Sequence, residues 1–224
     1  MFLNKGTSTL VSNPTSTIQH GLCTRTTPYD NPSELLRALS LAEGKDVGAT
    51  NAPQAPKGSF MNCFHLMYKP HSEMNGAEGF FTFDKNSDAN DIRIYVDDTY
   101  KNYDDLLTAS LITHELRHAT NFVKALEGTP SPSCVQDEVM AFYSQTIYLT
   151  NLNPEEWKSV TLRVAQNPHL NGAYEITNAL LLLNKDAVNS CPNDTDQSCW
   201  NTYMTDHLRK WVETNPFYQK QCNL

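Results

Sequence analysis

The chain has 224 residues, of which 17 are Lys or Arg and 25 are Asp or Glu, so its formal net charge at pH 7 is -8. An isoelectric point near 5.3 and the lack of a Lys/Arg run argue against a nucleic-acid-binding surface. The longest purely apolar stretch, Ala179 to Leu183, is far shorter than the roughly 20 residues of a transmembrane helix, so no membrane span is expected. A chain of this length can bury a substantial core of its own.

Six cysteines are spread widely along the chain. None has the Cys-x-x-Cys spacing of a zinc knuckle or a redox centre, and an even number of scattered cysteines predicts disulfides and an extracytoplasmic or secreted location. Cys191, Cys199 and Cys222 lie close to the C-terminus and could link that region, although the pairing cannot be read from the sequence. The residues from Met1 to Lys5 do not begin the pattern of a signal peptide, in which a basic region is followed by an apolar one. We therefore expect either a signal that has been removed or a protein that stays inside the cell.

The first 30 residues show no hydrophobic periodicity that would predict a helix or a strand. Residues 1–30 are rich in Ser, Thr, Asn and Gly without an apolar period, which predicts an extended or loosely ordered arm. Asn31 and Pro32 then supply a helix N-cap and a first-turn proline, so a helix is predicted over Pro32 to Glu43. A connecting loop is predicted over Gly44 to Lys57.

Three segments rich in apolar and aromatic residues predict strands, namely Ser59 to Tyr68, Gly79 to Phe83 and Asp91 to Val96. In the third, Ile92, Ile94 and Val96 lie on one face, and Arg93 and Tyr95 lie on the other. Such alternation is typical of a half-buried strand. The polar residues 84–90 between the second and third strands predict a hairpin.

The segment Thr-His-Glu-Leu-Arg-His, residues 113–118, lies within one long predicted helix, Asp104 to Leu126. Residues four apart lie on one helical face, about 5.4 Å apart along the axis, so His114 and His118 can direct ring nitrogens at one metal ion. Glu115 is about 100° around the helix from His114, which leaves its carboxylate beside the metal as a general base and not as a ligand. The alternative is an amphipathic helix that carries two histidines by chance, although random order gives this pattern with a probability of only about 1%.

A catalytic zinc ion usually takes three protein ligands and keeps one position open for water. A further helix is predicted over Ser133 to Tyr148, because its first residue forms a capping pair with Gln136. Glu138 lies in the first turns of this helix, twenty residues after His118, and is a candidate for the third ligand. The adjacent Asp137 could take that role instead, and an acidic residue near a helix N-terminus is favourable even without a metal.

The remainder of the chain predicts three more helices by apolar periodicity, over Pro154 to Val164, Asn171 to Val188 and Asp196 to Glu213. The fold class that follows is α+β with helix in excess, in which a small antiparallel or mixed sheet packs on the His-bearing helix. Residues 31–224 are predicted to form a single domain. Within it, residues 31–150 contain the sheet and the metal-binding helices, and residues 151–224 form a helical C-terminal part.

At the His-Glu-x-x-His motif the chain resembles the zincin metallopeptidases of the gluzincin, or thermolysin-like, type. The resemblance covers about Ile92 to Gln145, and only the motif itself is specific. It implies a zincin-like catalytic domain in which His114, His118 and Glu138 bind Zn²⁺ and Glu115 is the general base. The extended motif of a related group, which adds a glycine and a third histidine, is not present, because Asn and Lys stand at those positions.

The resemblance carries two further expectations. In these enzymes an edge strand beside the cleft pairs with extended substrate, and the strand Asp91 to Val96 is expected in that position. A Tyr or His from a later segment also stabilises the oxyanion, but no motif identifies it. The residues of suitable type are Tyr143, Tyr148, His169, Tyr174 and His207; for each of them a packed aromatic or a surface histidine is the favoured interpretation, because nothing in the sequence places it near the metal.

The function expected from the sequence is hydrolysis of peptide bonds in a peptide or protein substrate by a zinc-activated water, with Glu115 as the base. One alternative is a zinc hydrolase of another amide or ester. Another is a catalytically silent zinc-binding protein on a zincin scaffold. A purely structural zinc site has no need of a base and uses four protein ligands, so Glu115 favours an enzyme.

Overall fold

The six predicted helices and three predicted strands are present in the described residues in the predicted order, and one short helix follows them. The computed structural model describes residues 27–45, 64–84, 91–102, 105–126, 128–166, 171–191 and 197–224, and every statement below concerns these residues. The helices are α1 (Ser33–Lys45), α2 (Asp105–Leu126), α3 (Cys134–Thr150), α4 (Pro154–Ala165), α5 (Asn171–Ser190), α6 (Gln197–Thr214) and α7 (Pro216–Cys222). The strands are β1 (Phe64–Lys69), β2 (Gly79–Asp84) and β3 (Asp91–Asp97).

The three strands form one mixed sheet in the order β1-β3-β2. β1 runs parallel to β3, and β2 runs antiparallel to it, with Asp84 opposite Asp91 as expected for a hairpin. The helix-rich α+β class with a small mixed sheet is therefore confirmed. The expectation that the strand Asp91 to Val96 lies at the edge is wrong, because β3 pairs on both sides; alternation indicates a strand with one buried face, but it does not reveal how many neighbours the strand has.

One face of the sheet packs on α2. The side chains of Ile92, Ile94 and Val96 are buried, as their alternation predicted, and they line the inner face with residues of the two outer strands. From β2, Phe81 and Phe83 lie against Phe122 of α2, with ring centroids 5.5 and 4.6 Å apart. The sheet thus contacts the motif helix between Leu111 and Phe122.

α2 is the central element of the fold. Every residue from 107 to 121 is buried, because the sheet, α1 and α3 all contact this helix. A helix buried all round normally carries apolar residues on every face, yet this one carries two histidines, Glu115 and Arg117 in its interior turns. Each of these four polar side chains requires specific partners in such a position.

The helix ends follow local sequence signals. Ser133 and Gln136 form the predicted capping box, with both reciprocal hydrogen bonds present, and the ends of the predicted helices agree with the structure to within about two residues. The short helix α7 was not predicted. Its signal is Asn215 followed by Pro216, a cap and a first-turn proline, and the Asn215 side chain accepts a hydrogen bond from the amide of Phe217.

Two disulfides join helices of the C-terminal half, Cys134 to Cys222 and Cys191 to Cys199. The prediction of disulfides is thereby confirmed for these four cysteines, whereas Cys23 and Cys63 lie outside the described residues. Most of the predicted arm over residues 1–30 and of the loop over Gly44 to Lys57 also lies outside them. None of the described helices combines the length and the apolar character that a membrane crossing requires.

The segment before α1 is fastened to the sheet by Asn31. Its side-chain amide donates a hydrogen bond to the carbonyl of Phe64 and accepts one from the amide of Leu66, at 3.1 and 2.9 Å. Beside it, the ring of Tyr29 stacks on His65 with a centroid distance of 4.2 Å. The outer edge of β1 is therefore bonded to the chain that leads into α1.

Candidate metal centre

The two motif histidines lie one turn apart on α2 and turn toward the same point. Their ring centroids are 4.9 Å apart, and both side chains are almost fully buried. The edge-on ring of Phe142 from α3 packs against His114 at 4.5 Å. The rigid helix and this aromatic contact together hold the imidazole pair in place.

Glu138 on α3 completes a group of three. Its Oε2 atom lies 3.5 Å from Nε2 of His114 and 3.8 Å from Nε2 of His118, and the ligand-type atoms of the three residues all lie within 4.8 Å of one another. Ligands about 2.0 to 2.2 Å from a tetrahedral zinc ion are separated from each other by about 3.3 to 3.6 Å. The described side chains therefore fit a single small cation.

Asp137 occupies a different place from Glu138. Its Oδ2 atom lies 2.7 Å from Nδ1 of His118, on the side of the ring away from the cluster, and its Oδ1 accepts a hydrogen bond from Asn121. A carboxylate on the far nitrogen fixes the orientation of a metal-binding histidine and raises its basicity. Of the two acids that the sequence left open, the geometry thus brings Glu138 to the cluster and gives Asp137 the supporting position.

The buried atoms of Glu138 provide a test of whether a cation fits. One oxygen, Oε1, accepts a hydrogen bond of 2.6 Å from the side chain of Gln221, while Oε2 is buried and has no hydrogen-bond partner among the described residues. An unsatisfied buried carboxylate oxygen is costly. A divalent cation at the cluster would satisfy it, and two imidazoles with one carboxylate are a typical donor set for zinc.

The pKa values of the two motif histidines are shifted in opposite directions. Burial, and then the neighbouring His118, hold the pKa of His114 well below its usual range, so this ring is neutral and able to bind a metal. Burial lowers the pKa of His118, but Asp137 and Glu138 outweigh it and raise that pKa to about 10. Burial also raises the pKa of Glu138 to about 7. Metal binding at such a site displaces protons from its ligands.

Glu115 lies beside this cluster but does not belong to it. Its side chain is completely buried, and burial raises its pKa to about 8 against the opposing effect of the neighbouring His118 charge. A carboxyl group with a pKa near neutrality can both accept and release a proton at working pH. Gly79 of β2 leaves room for it, since a Cβ atom there would lie 3.2 Å from Oε1 of Glu115.

Of the five residues considered for oxyanion stabilisation, Tyr143, Tyr148 and His207 have described side chains, and each of these forms a hydrogen bond to a residue outside the cluster. Tyr143 donates its hydroxyl proton to Asn201 and Tyr148 donates to the carbonyl of Leu106. His207 is exposed and its Nδ1 atom bonds to the carbonyl of Tyr203. The side chains of His169 and Tyr174 lie outside the described residues.

Two residues near the cluster carry no motif and were not anticipated from the sequence. One is Gln221, which contacts Glu138 as described above. The other is Tyr218, a buried residue of α7 whose pKa is raised by burial first and then by the charges of Glu138 and Glu115. Only the Asn-Pro cap that starts α7 could have pointed to this helix.

Comparisons of the chain with protein-family models, with curated proteins and with solved structures gave no match.

Proposed function

We propose that this protein is a zinc-dependent metallopeptidase in which His114, His118 and Glu138 hold the metal and Glu115 is the general base. The observation that carries the proposal is the buried group of two imidazoles and one carboxylate with a second buried acid next to it. A structural zinc site would use four protein ligands and no base. The resemblance to gluzincins at the motif supports the same assignment.

The chemistry divides between the metal and the side chains. Zinc, when bound, supplies Lewis acidity that lowers the pKa of water from about 15.7 toward 7 and polarises a carbonyl group. Glu115 takes a proton from the attacking water and delivers it to the nitrogen of the leaving amine. The water oxygen forms a bond with the carbonyl carbon, the carbon–nitrogen bond breaks, and an acid and an amine result. Asp137 holds His118 in its orientation throughout.

The substrate strand is assigned to β2 in this proposal, and not to the strand Asp91 to Val96 as the sequence led us to expect. β2 is an edge strand of the described sheet, and Gly79 at its start lies against Leu111 and Glu115 of α2. Extended peptides bind edge strands through main-chain hydrogen bonds. A peptide added to β2 would pass close to the carboxylate that accepts the proton.

Two other functions remain as alternatives. The same metal and base can attack the carbonyl of a non-peptide amide or an ester, and a zincin-fold protein can retain zinc without turnover. The buried Glu115, which contributes no ligand to the cluster, favours an enzyme over a silent binding protein. We further propose an extracytoplasmic or secreted location, because the disulfides Cys134–Cys222 and Cys191–Cys199 are typical of oxidising compartments.

The experiment that tests the proposal combines zinc analysis with a peptide library. Wild type, Glu115→Gln and His118→Ala are dialysed against a weak chelator, and zinc per chain and cleavage are measured, with the exposed Glu73→Gln as a matched control. We expect about one zinc in wild type and Glu115→Gln and none in His118→Ala. Glu115→Gln should lose about 10² to 10⁴ in turnover, whereas Glu73→Gln should not. Full activity of Glu115→Gln would disprove the assigned role, and zinc-free wild type would disprove the site.

A further inference from the structure

The C-terminal helix α7 reaches the candidate metal centre through one hydrogen bond. Nε2 of Gln221 donates to Oε1 of Glu138 over 2.6 Å, between residues 83 positions apart in sequence. Glu138 is almost fully buried and Gln221 is partly buried. This contact uses the oxygen of Glu138 that does not face the histidines, since Oε2 is the atom near both imidazole Nε2 atoms.

The position of Gln221 is fixed by packing on the same helix. Three residues earlier, and therefore on the same helical face, Tyr218 is buried and its ring lies 5.6 Å from that of Phe142 and 5.5 Å from that of Trp211. Phe142 in turn packs on His114. An aromatic cluster thus seats α7 against α3 at the level of the metal ligands.

A covalent bond holds the end of the helix at the same place. The disulfide joins Cys222, the residue after Gln221, to Cys134, the first residue of α3. Glu138 lies four residues after Cys134 and so on the same face of α3. The disulfide and the hydrogen bond from Gln221 to Glu138 therefore join α7 to α3 at neighbouring positions.

We propose that Gln221 is a positioning residue for the third metal ligand, and that the Cys134–Cys222 disulfide acts through Gln221 to tighten metal binding. The inference rests on the metal site of the proposed function, and it does not depend on the reaction catalysed there. The terminal torsion of a glutamate is broad, so an unrestrained Glu138 carboxylate samples many orientations. The hydrogen bond to Oε1 selects the one that aims Oε2 at the histidines.

The size of the effect follows from comparable outer partners of metal ligands. Loss of such a partner weakens metal binding by about 10- to 100-fold. The orientation of Glu138 also depends on how firmly α7 is held, so loss of the disulfide should produce part or all of the same change. Because both act on a single hydrogen bond, their effects should not add.

The first test replaces Gln221 in the full chain and measures zinc affinity by chelator competition. Gln221→Met keeps the volume of the side chain but removes the donor, and Gln221→Ala removes both. Gln219→Ala is the matched control, because Gln219 lies on the same helix and donates to the carbonyl of Glu213 at the surface. We expect both Gln221 variants to bind zinc about 10- to 100-fold more weakly than wild type. The control Gln219→Ala should bind zinc as tightly as wild type. Wild-type affinity in Gln221→Met would overturn the role of the hydrogen bond.

A spectroscopic readout separates positioning from loss of fold. Co²⁺ is bound in place of zinc and its visible absorption bands are recorded, since they report the geometry of the ligands. Gln221→Met should retain the wild-type far-ultraviolet circular dichroism and show shifted Co²⁺ bands. Unchanged bands together with wild-type zinc affinity would mean that Glu138 needs no positioning by α7.

The second test removes one disulfide at a time. The double variant Cys134→Ser/Cys222→Ser should weaken zinc binding by no more than Gln221→Met does, and the triple variant that also carries Gln221→Met should bind zinc about as tightly as Gln221→Met alone. The control is Cys191→Ser/Cys199→Ser, which removes the crosslink between α5 and α6 and should leave zinc affinity unchanged. Full additivity of the Gln221 and Cys134–Cys222 effects would overturn the coupling. Failure of wild type to bind zinc would instead overturn the proposed function itself.

Discussion

The replacement Glu115→Gln should make the metal-free protein more stable while it lowers the proposed activity by a factor of about 10² to 10⁴. Glu115 is completely buried on α2, and burial raises its pKa from 4.5 to about 8. A carboxylic acid whose pKa is raised by folding binds its proton more tightly in the folded state than in the unfolded state. Between these two pKa values the folded state holds a proton that the unfolded chain releases, so stability falls as the pH rises.

The magnitude follows from the linkage relation. Each pH unit between the unfolded and folded pKa values costs about 1.4 kcal/mol, so the free energy of unfolding of wild type should drop by about 3 kcal/mol from this group between about pH 5 and 7.5. Glutamine has nearly the same shape and does not titrate. The variant should therefore lack this decline, and its advantage over wild type should be largest at the higher pH.

Urea denaturation at about pH 5 and 7.5, after removal of metal with a chelator, measures the effect directly. The quantity of interest is the difference in unfolding free energy between variant and wild type at each pH. Glu73→Gln, on the exposed 3-10 helix His71–Glu73, serves as the control and should run parallel to wild type. Parallel curves for wild type and Glu115→Gln would refute the reasoning, because they would mean that Glu115 is as well solvated in the folded state as in the unfolded chain.

Three further predictions concern the surroundings of the site. Phe142→Ala removes a completely buried ring and should lower the unfolding free energy by about 3 to 5 kcal/mol; a loss under about 1 kcal/mol in urea denaturation would contradict the packing described. The hydrogen bond with Asp97 raises the pKa of His71, so this pair stabilises the fold at low pH and its contribution is lost as the pH rises through that raised pKa. Thermal denaturation from about pH 5.5 to 8.5 should show this loss in wild type and not in His71→Gln, with a size below about 1 kcal/mol because the ring is exposed. Gly79→Ala would place a Cβ atom 3.0 Å from Leu111 and should destabilise by about 1 to 3 kcal/mol in calorimetry; an unchanged melting temperature would show that β2 and α2 are further apart.

The parts of the fold that could be predicted depend on local signals. The capping box at Ser133 set the start of α3, and the alternation of Ile92, Ile94 and Val96 identified the buried face of β3. The position of β3 within the sheet could not be predicted in this way, because an edge strand and a central strand can show the same alternation. Whether β3 is an edge or a central strand depends on pairing with strands that are distant in sequence, and such pairing leaves no local sequence signal.

In the candidate site too, some residues could be predicted from local sequence and others required the tertiary structure. His114, His118 and Glu115 are found from spacing on one helix, and Glu138 is what the resemblance to gluzincins implies, because their third ligand is a glutamate on the next helix. Gln221 could not be predicted, because its contact with Glu138 joins segments that are far apart in sequence and depends on how α7 packs. The choice between Asp137 and Glu138 also required the tertiary structure, since adjacent residues on a helix point about 100° apart.

The contact of Asn31 with β1 limits how copies of this domain can associate. An exposed edge strand offers unpaired main-chain groups to which another chain can add, and repeated addition at both edges builds an extended aggregate. The Asn31 side chain forms hydrogen bonds with the carbonyl of Phe64 and the amide of Leu66. These two main-chain groups of β1 are therefore not open to an added strand. Within the described sheet, β2 is then the edge at which a second copy is expected to add.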